Sequence, residues 1–235
     1  MELVLSKKPK NPIIIQGFPG FGLVGNIATE FLIEHLKAEQ IGSIKIKEIM
    51  PVIALHEGKV VHPVGIFYDK NTNIVLVHVI ANAQGVEWIL AEQIANLAKQ
   101  LNASEIISIE GVSAPYANET NFQAFYYTND EKCKKKLEAV LKPLKEGIVV
   151  GVTGALLLDV GITHTSIFVE SHSGMPDSKA AAKAIEVLDK YLGLSIDYQP
   201  LLKQAEKFEE KLKKIMEQSQ SAVAEQDKKK LDYIS

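Results

Sequence analysis

An apolar run, Ile13-Ile14-Ile15-Gln16, passes directly into Gly17-Phe18-Pro19-Gly20-Phe21-Gly22-Leu23-Val24-Gly25. Apolar positions at helical spacing follow, among them Ile27, Phe31 and Leu32. This order predicts a buried strand, a tight turn, and a helix over about 23–39 that Gly42 ends. The glycines let helix and strand approach closely. Gly20-Phe21-Gly22-Leu23-Val24-Gly25 also matches G-x-G-x-x-G between a strand and a helix, the setting of a dinucleotide site, and Glu48 stands where a ribose ligand could be. Three features weigh against that reading. The next strand leads into Met50-Pro51 and a hairpin instead of further βαβ units. Phe18, Pro19 and Phe21 crowd a turn that a pyrophosphate would have to approach closely. Glu48 sits beside Lys45 and Lys47 on what reads as a solvated face.

Further along, Ile44 and Ile46 alternate with lysines, as in a half-exposed strand. The β-rich stretches 59–68 and 74–80 flank the turn residues Asp69-Lys70-Asn71-Thr72-Asn73, which predicts a hairpin. A helix over 86–101 and a strand over 105–109 come next, the strand ending in a loop from Glu110 to Pro115. Then follow a strand over 122–127, a lysine-rich helix over 130–141, a buried strand over 148–152, a short helix over 154–158 and a strand over 164–170. The loop 171–177 precedes a helix that Asp177 or Ser178 caps and that runs to about Leu192. Strands alternating with helices, plus one inserted hairpin, define the fold class as α/β: a three-layer sandwich with a mixed sheet.

From Leu201 the residues Ala205, Phe208, Leu212, Ile215, Ser219 and Ala222 continue a seam with alternating steps of four and three. That is a heptad pattern, suited to packing on the parent domain or on another chain. Phe208, Leu212 and Ile215 are its packing or oligomer residues. The chain is therefore expected to divide into an α/β domain over 1–196, a C-terminal amphipathic helix over 197–226 and a short flexible tail over 227–235. The tail carries Lys228, Lys229 and Lys230, then Leu231, Tyr233 and Ile234, which are apolar for a free end and could dock in a partner's groove.

Composition removes several function classes. All 26 basic residues are lysine and the net charge is −3. Without arginine there is no bidentate phosphate clamp, and no nucleic-acid partner is expected. The sole cysteine, Cys133, allows no internal disulfide and fits a reducing, cytoplasmic setting. No signal peptide and no apolar run long enough for a membrane span are read. No P-loop occurs. The histidines His35, His56, His62, His78, His164 and His172 have no close metal-ligand spacing, so neither metal nor cofactor is expected. His78, within an apolar strand, reads as a hydrogen-bonded core or edge histidine. The loop Glu170-Ser171-His172-Ser173 brings together residue types used in hydrolysis, but sequence neighbours rarely form a triad, and loop-capping hydrogen bonds explain them as well. Glu110, Glu170 and His172 near strand ends are the acid/base residues of an alternative reading, an enzyme acting on a nucleoside-like small molecule.

The segment Gly17-Phe18-Pro19-Gly20-Phe21-Gly22-Leu23-Val24-Gly25-Asn26-Ile27-Ala28 resembles the signature of the archaeal proteasome assembly chaperone family, relatives of the second eukaryotic assembly chaperone. Phe31-Leu32-Ile33-Glu34-His35-Leu36, the stretch 151–157 and the stretch 170–177 are similar to later family segments and occur in the same order. The resemblance covers about 10–195. It implies a nucleoside-phosphorylase-like fold used for binding instead of catalysis, self-association into a homo-oligomer, and proteasome α-subunits or a related protein as partner. It also implies a C-terminal hydrophobic–tyrosine–any-residue tail. Here Tyr233 is third from the end instead of penultimate, which moves the carboxylate one residue further along.

Overall fold

The computed structural model describes residues 2–49, 53–56, 59–113, 122–158, 161–171, 175–200 and 202–203. The strands are β1 (Glu2–Leu5), β2 (Ile13–Gly17), β3 (Glu39–Lys45), β4 (Ala54–His56), β5 (Lys59–Val61), β6 (Val64–Asp69), β7 (Ile74–Val79), β8 (Glu105–Ser113), β9 (Ala124–Thr128), β10 (Lys142–Pro143) and β11 (His164–Ser171). The helices are α1 (Val24–His35), α2 (Glu87–Leu101), α3 (Glu131–Leu137), α4 (Gly151–Leu157) and α5 (Ser178–Leu192). Nine strands form one mixed sheet in the order β1-β3-β6-β7-β2-β8-β11-β9-β10, and β4 with β5 forms a separate hairpin. The four central strands, β7, β2, β8 and β11, run parallel. The strands flanking them, β6 and β9, run antiparallel to their central neighbours.

Strand alternation sends successive side chains to opposite faces. Ile14 and Ile106 therefore meet Leu90, Ile94 and Leu97 of α2 and Val152 and Leu156 of α4 in one core. Ile15, Ile107 and Ile109 meet Ile27 and Leu32 of α1 and the alanine-rich side of α5 in the other. The result is the three-layer sandwich expected of an α/β chain with inserted antiparallel strands. Asp177 caps α5 by accepting from the Ala180 amide at 3.0 Å, and Gly193, at φ 67°, closes it. The hairpin turn between β6 and β7 is held by the Asp69 carboxylate, which accepts from the Thr72 amide and hydroxyl.

Several boundaries differ from the sequence reading. Gly42 does not end α1: Lys37, at φ 52°, stands just past the helix, and Gly42 lies inside β3. A Cβ there would strike the Val4 carbonyl of the adjoining β1, so close strand approach is what the glycine serves. The stretch 59–61 leaves the main hairpin to pair with β4, ahead of Pro63. The stretch 110–113 is strand, not loop, because β11 pairs with β8 as far as Ser113. The stretch 148–152 is not a buried strand. Ile148 is 93% and Val150 76% exposed, and the stretch leads into α4, while the sheet edge is formed by β10. Apolar content alone cannot separate a buried strand from an exposed apolar lead-in.

Candidate functional site at the strand ends

The parallel strands deliver their carboxyl ends to one side of the molecule, and the glycine-rich turn sits there. After β2, residues 21–23 make one 3-10 turn in which Gly22 has φ 65° and Leu23 φ 49°. The turn is filled by protein. A Cβ on Gly17 would strike the Gly25 carbonyl, one on Gly25 would lie 2.5 Å from the Ile109 carbonyl oxygen, and one on Gly22 would strike the Ser171 hydroxyl. Gly111, on β8, has the Phe21 carbonyl where its own side chain would start. The Asp177 amide donates to the Gly22 carbonyl at 2.9 Å, and the Ser171 hydroxyl donates to Asp177 Oδ2 at 2.9 Å. These glycines serve contact between β2, β8, α1 and the head of α5, and the Glu110 carboxyl borders Gly20. A pyrophosphate would meet that carboxyl at the turn. Glu48 is exposed, as a solvated surface residue would be.

Glu110, on the last half of β8, accepts from the Thr153 hydroxyl of α4 at 2.5 Å. Burial pushes its carboxyl up to about 7, with the Thr153 hydrogen bond opposing. Behind it runs a buried polar chain. The Gln16 side-chain amide donates to Thr153 Oγ1 at 3.3 Å and to Ser108 Oγ at 2.5 Å, and Ser108 Oγ lies 2.7 Å from His164 Nε2. Burial holds the His164 imidazole down to about 4, with the Leu156 backbone opposing, so the ring is neutral at ordinary pH. The Ser108 hydroxyl accepts from Gln16 and donates to His164; the Thr153 hydroxyl accepts from Gln16 and donates to Glu110. Sequence reasoning singled out Glu110 and missed Gln16, Ser108, Thr153 and His164. The available signal was a polar residue at every second position of apolar strands: Gln16 after three isoleucines, and Ser108 then Glu110 after Ile106.

Glu170 is on the same face as Glu110, but on β11, where it stands opposite Val112 while Phe168 stands opposite Glu110. One of its oxygens accepts from the Gln123 amide at 3.2 Å. His172 lies outside the described residues, as do Phe208, Leu212, Ile215, Leu231, Tyr233 and Ile234. Ser171 and Asp177 are on the opposite face from Glu110, against the glycine turn. His78 is the buried, hydrogen-bonded histidine expected: Nδ1 lies 2.9 Å from Thr29 Oγ1 and Nε2 lies 2.9 Å from Glu30 Oε2. At the other end of the sheet the Tyr191 hydroxyl donates to Glu105 at 2.9 Å, tying α5 to the start of β8. Burial pushes the nearby Cys133 thiol up to about 11, which leaves little thiolate at neutral pH. Among the described residues no group of three or more His, Cys, Asp or Glu side chains could hold a metal ion, and no helix is long and apolar enough to cross a membrane.

The fold and this site define a class: a three-layer α/β domain whose strand-end glycine turn is occupied by its own protein and behind which Gln16, Ser108, Thr153, Glu110 and His164 are hydrogen-bonded in one chain. The chain belongs to the PAC2 family, whose model matches residues 14–216. Its relatives include MJ0106 of Methanocaldococcus jannaschii, 29% identical over 228 residues that make up 96% of this chain and 94% of that one. Among solved structures, Pyrococcus furiosus PbaA, described as an archaeal homolog of proteasome-assembly chaperone, superposes with a TM-score of 0.84 at 34% identity, covering 94% of this chain and 98% of that one. Pyrococcus furiosus PbaB, described as an archaeal proteasome activator, gives a TM-score of 0.73 at 25% identity, covering 92% and 98%.

Proposed function

We propose that this chain is a non-enzymatic, protein-binding chaperone that acts in proteasome assembly or on the proteasome α-ring, in the cytoplasm. The observation that carries the reading is its likeness to PbaA, which extends over nearly the whole of both chains. The character of the strand-end surface supports it. Leu55 of the β4–β5 hairpin, Trp88 in the first turn of α2, Val150 ahead of α4 and Met175 after β11 all stand at the carboxyl ends of the parallel strands, and all are exposed. Exposed apolar side chains gathered at one end of a domain suit contact with protein.

The working form is a homo-oligomeric platform. Phe208, Leu212 and Ile215 of the heptad seam pack the C-terminal helix (197–226), and Leu231, Tyr233 and Ile234 of the tail (227–235) reach the partner. Several tails on one platform raise each other's effective concentration at a ring of repeated sites. The test is size-exclusion chromatography with light scattering on the protein alone and mixed with proteasome α-subunits. A discrete oligomer that co-elutes with α-subunits, and loses them when 227–235 is deleted, supports the reading. An oligomer that ignores α-subunits defeats it.

A further inference from the structure

The glycines of the strand-end turn divide by what a side chain would meet. At Gly17, Gly22, Gly25 and Gly111 a Cβ would strike backbone or the Ser171 side chain, and Gly22 also has φ 65°. Gly20 is different. Its backbone, at φ −134° and ψ −163°, is extended and open to any residue. A Cβ there would lie 3.2 Å from Glu110 Oε2 and 3.8 Å from the Phe18 carbonyl oxygen, with no other non-neighbouring atom of the described residues within 4 Å. Gly20 is exposed and Glu110 half-buried. Neither backbone conformation nor close backbone packing calls for this glycine, and it leaves one carboxylate oxygen uncovered where the turn meets solvent.

The other oxygen is accounted for. Glu110 Oε1 accepts from the Thr153 hydroxyl at 2.5 Å, a bond that favours the ionised carboxyl. Oε2 has no partner among the described residues, and no lysine there pairs with the carboxyl. We infer that Glu110 Oε2 and the Phe18 carbonyl, left open by Gly20, form a socket for the ammonium group of a lysine on the protein partner. Both bordering atoms are acceptors, and a carboxylate half-removed from water gains from a paired cation. With Oε1 held by Thr153, the two-pronged pairing that favours a guanidinium is not available, whereas a compact ammonium with three donors suits two separate acceptors. The setting is that of an interface. Val150 is exposed ahead of α4, on the Thr153 side of the turn. Met175 is exposed just before Asp177, whose amide holds the Gly22 carbonyl on the other side. Apolar contact there would exclude water from the ion pair, which strengthens it. The inference rests on the proposed function only in taking the partner to be a protein of the proteasome α-ring.

Amide chemical shifts of the isotope-labelled full chain test the socket at about pH 8, where most of the carboxyl is ionised. The lysine probe is n-butylammonium, with potassium chloride at equal ionic strength as the blank. Saturable shifts at Gly20, Phe21 and Thr153 are expected, with tighter binding than ethylguanidinium shows. Gly20→Ala places a methyl group over Oε2 on a backbone that any residue adopts, and Glu110→Gln removes the charge. Each should weaken the probe by about tenfold or more, as loss of a hydrogen bond to a charged group does. No saturable shift in the wild type, equal binding by the variants, or a preference for ethylguanidinium would overturn the inference. In the mixture with proteasome α-subunits, a carbodiimide, which joins a paired carboxylate and amine as an amide, identifies the lysine. Glu110 coupled to an α-subunit lysine is expected. Co-elution without that coupling, or coupling to Lys228, Lys229 or Lys230 of the chain's own tail, would overturn the partner's lysine and leave the proposed function standing. Probe binding without co-elution would instead defeat the α-ring reading and leave the socket in place.

Discussion

The two faces of the central sheet are built from the same strands and differ in kind. Under α1 and α5 the facing side chains are Ile15, Ile107, Ile109, Ile167 and Val169, met by alanines of α5 and by the glycine contacts of the turn. Under α2 and α4 the same strands present Gln16, Ser108, Glu110, Ser166 and His164. Apart from His78, Glu105, Thr165 and Ser171, that first face is apolar, and its glycine-tightened part is held by contact area and shape, at roughly 25 cal/mol per Å² removed from water. A face with a buried polar chain is held by directional bonds and is penalised when one partner is lost. Both faces hold an apolar core, but only the second sets a connected chain of buried polar groups into it.

The sharpest way to break this contrast is Gly25→Ala. Its Cβ would lie 2.5 Å from the Ile109 carbonyl oxygen and 2.9 Å from Gly17 Cα, backbone against backbone, with no flexible side chain to yield. Overpacking of this kind costs about 3 kcal/mol or more where the backbone must shift. Urea unfolding checks it. Near-native stability would mean that the glycine turn is open, as a cofactor cradle would be, and that the first face is not closed by contact.

On the second face the two ends of the polar chain pull stability in opposite directions with pH. The Glu110 carboxyl is raised from 4.5 to about 7, so the folded state holds the proton longer than the unfolded one, and stability falls as pH rises across that window. The His164 imidazole is lowered from 6.5 to about 4, so the unfolded state takes the proton first, and stability falls as pH drops across its own window. Where the windows overlap the two slopes oppose each other. Glu110→Gln removes one of them: stability between pH 4.5 and 6.5 should then rise with pH. At about pH 8 the variant should exceed the wild type by up to about 3 kcal/mol, the equivalent of the full shift. Denaturant midpoints across pH measure both effects, and parallel curves for the two proteins would contradict the assignment.

Ser108 and Ile109 are neighbours in one strand and point to opposite faces, which makes them a matched pair. Ser108→Ala leaves Gln16 without one acceptor and His164 without its donor, an expected loss of about 1–3 kcal/mol. Ile109→Val removes one methylene from the apolar face, an expected loss of about 0.5–1.5 kcal/mol. Chemical denaturation of the two variants side by side decides the order. A smaller loss in Ser108→Ala would show that the polar chain contributes little and that the two faces are alike.

The first face was the more legible in the sequence. Its strands are continuous apolar runs, the glycines sit between strand and helix, and Asp177 capping α5 follows from a carboxylate just ahead of an alanine-rich stretch. The second face was partly hidden. Strand alternation marks Gln16, Ser108 and Glu110 as facing one way, but only the strand order, β2 beside β8 beside β11, puts them in contact with His164 and Thr153. That pairing joins residues 92 and 137 positions apart, and no local pattern encodes it. The loop expected at Glu110 and the strand expected over 148–152 failed for a related reason. Pairing with β11 extends β8 through Gly111, and the apolar Ile148 and Val150 are exposed where burial was assumed.

Those exposed residues give the smallest effect on stability and the largest on what the second face is for. Ile148, Val150 and Trp88 are 93%, 76% and 62% exposed, so replacing them removes little area that folding had taken from water. The double variant Ile148→Ser with Val150→Ser should unfold within about 0.5 kcal/mol of the wild type, as surface changes do. If the exposed rim beside α4 is a contact between copies or with a partner, the same variant should shift the mass of the isolated protein, or its co-elution with α-subunits, in light scattering. Retained stability with lost association would assign the rim to binding and complete the contrast between a face that folds and a face that binds. Retained stability with unchanged association would confine binding to the hairpin, Trp88, Met175 and the C-terminal tail, and would leave Ile148 and Val150 without a part in it.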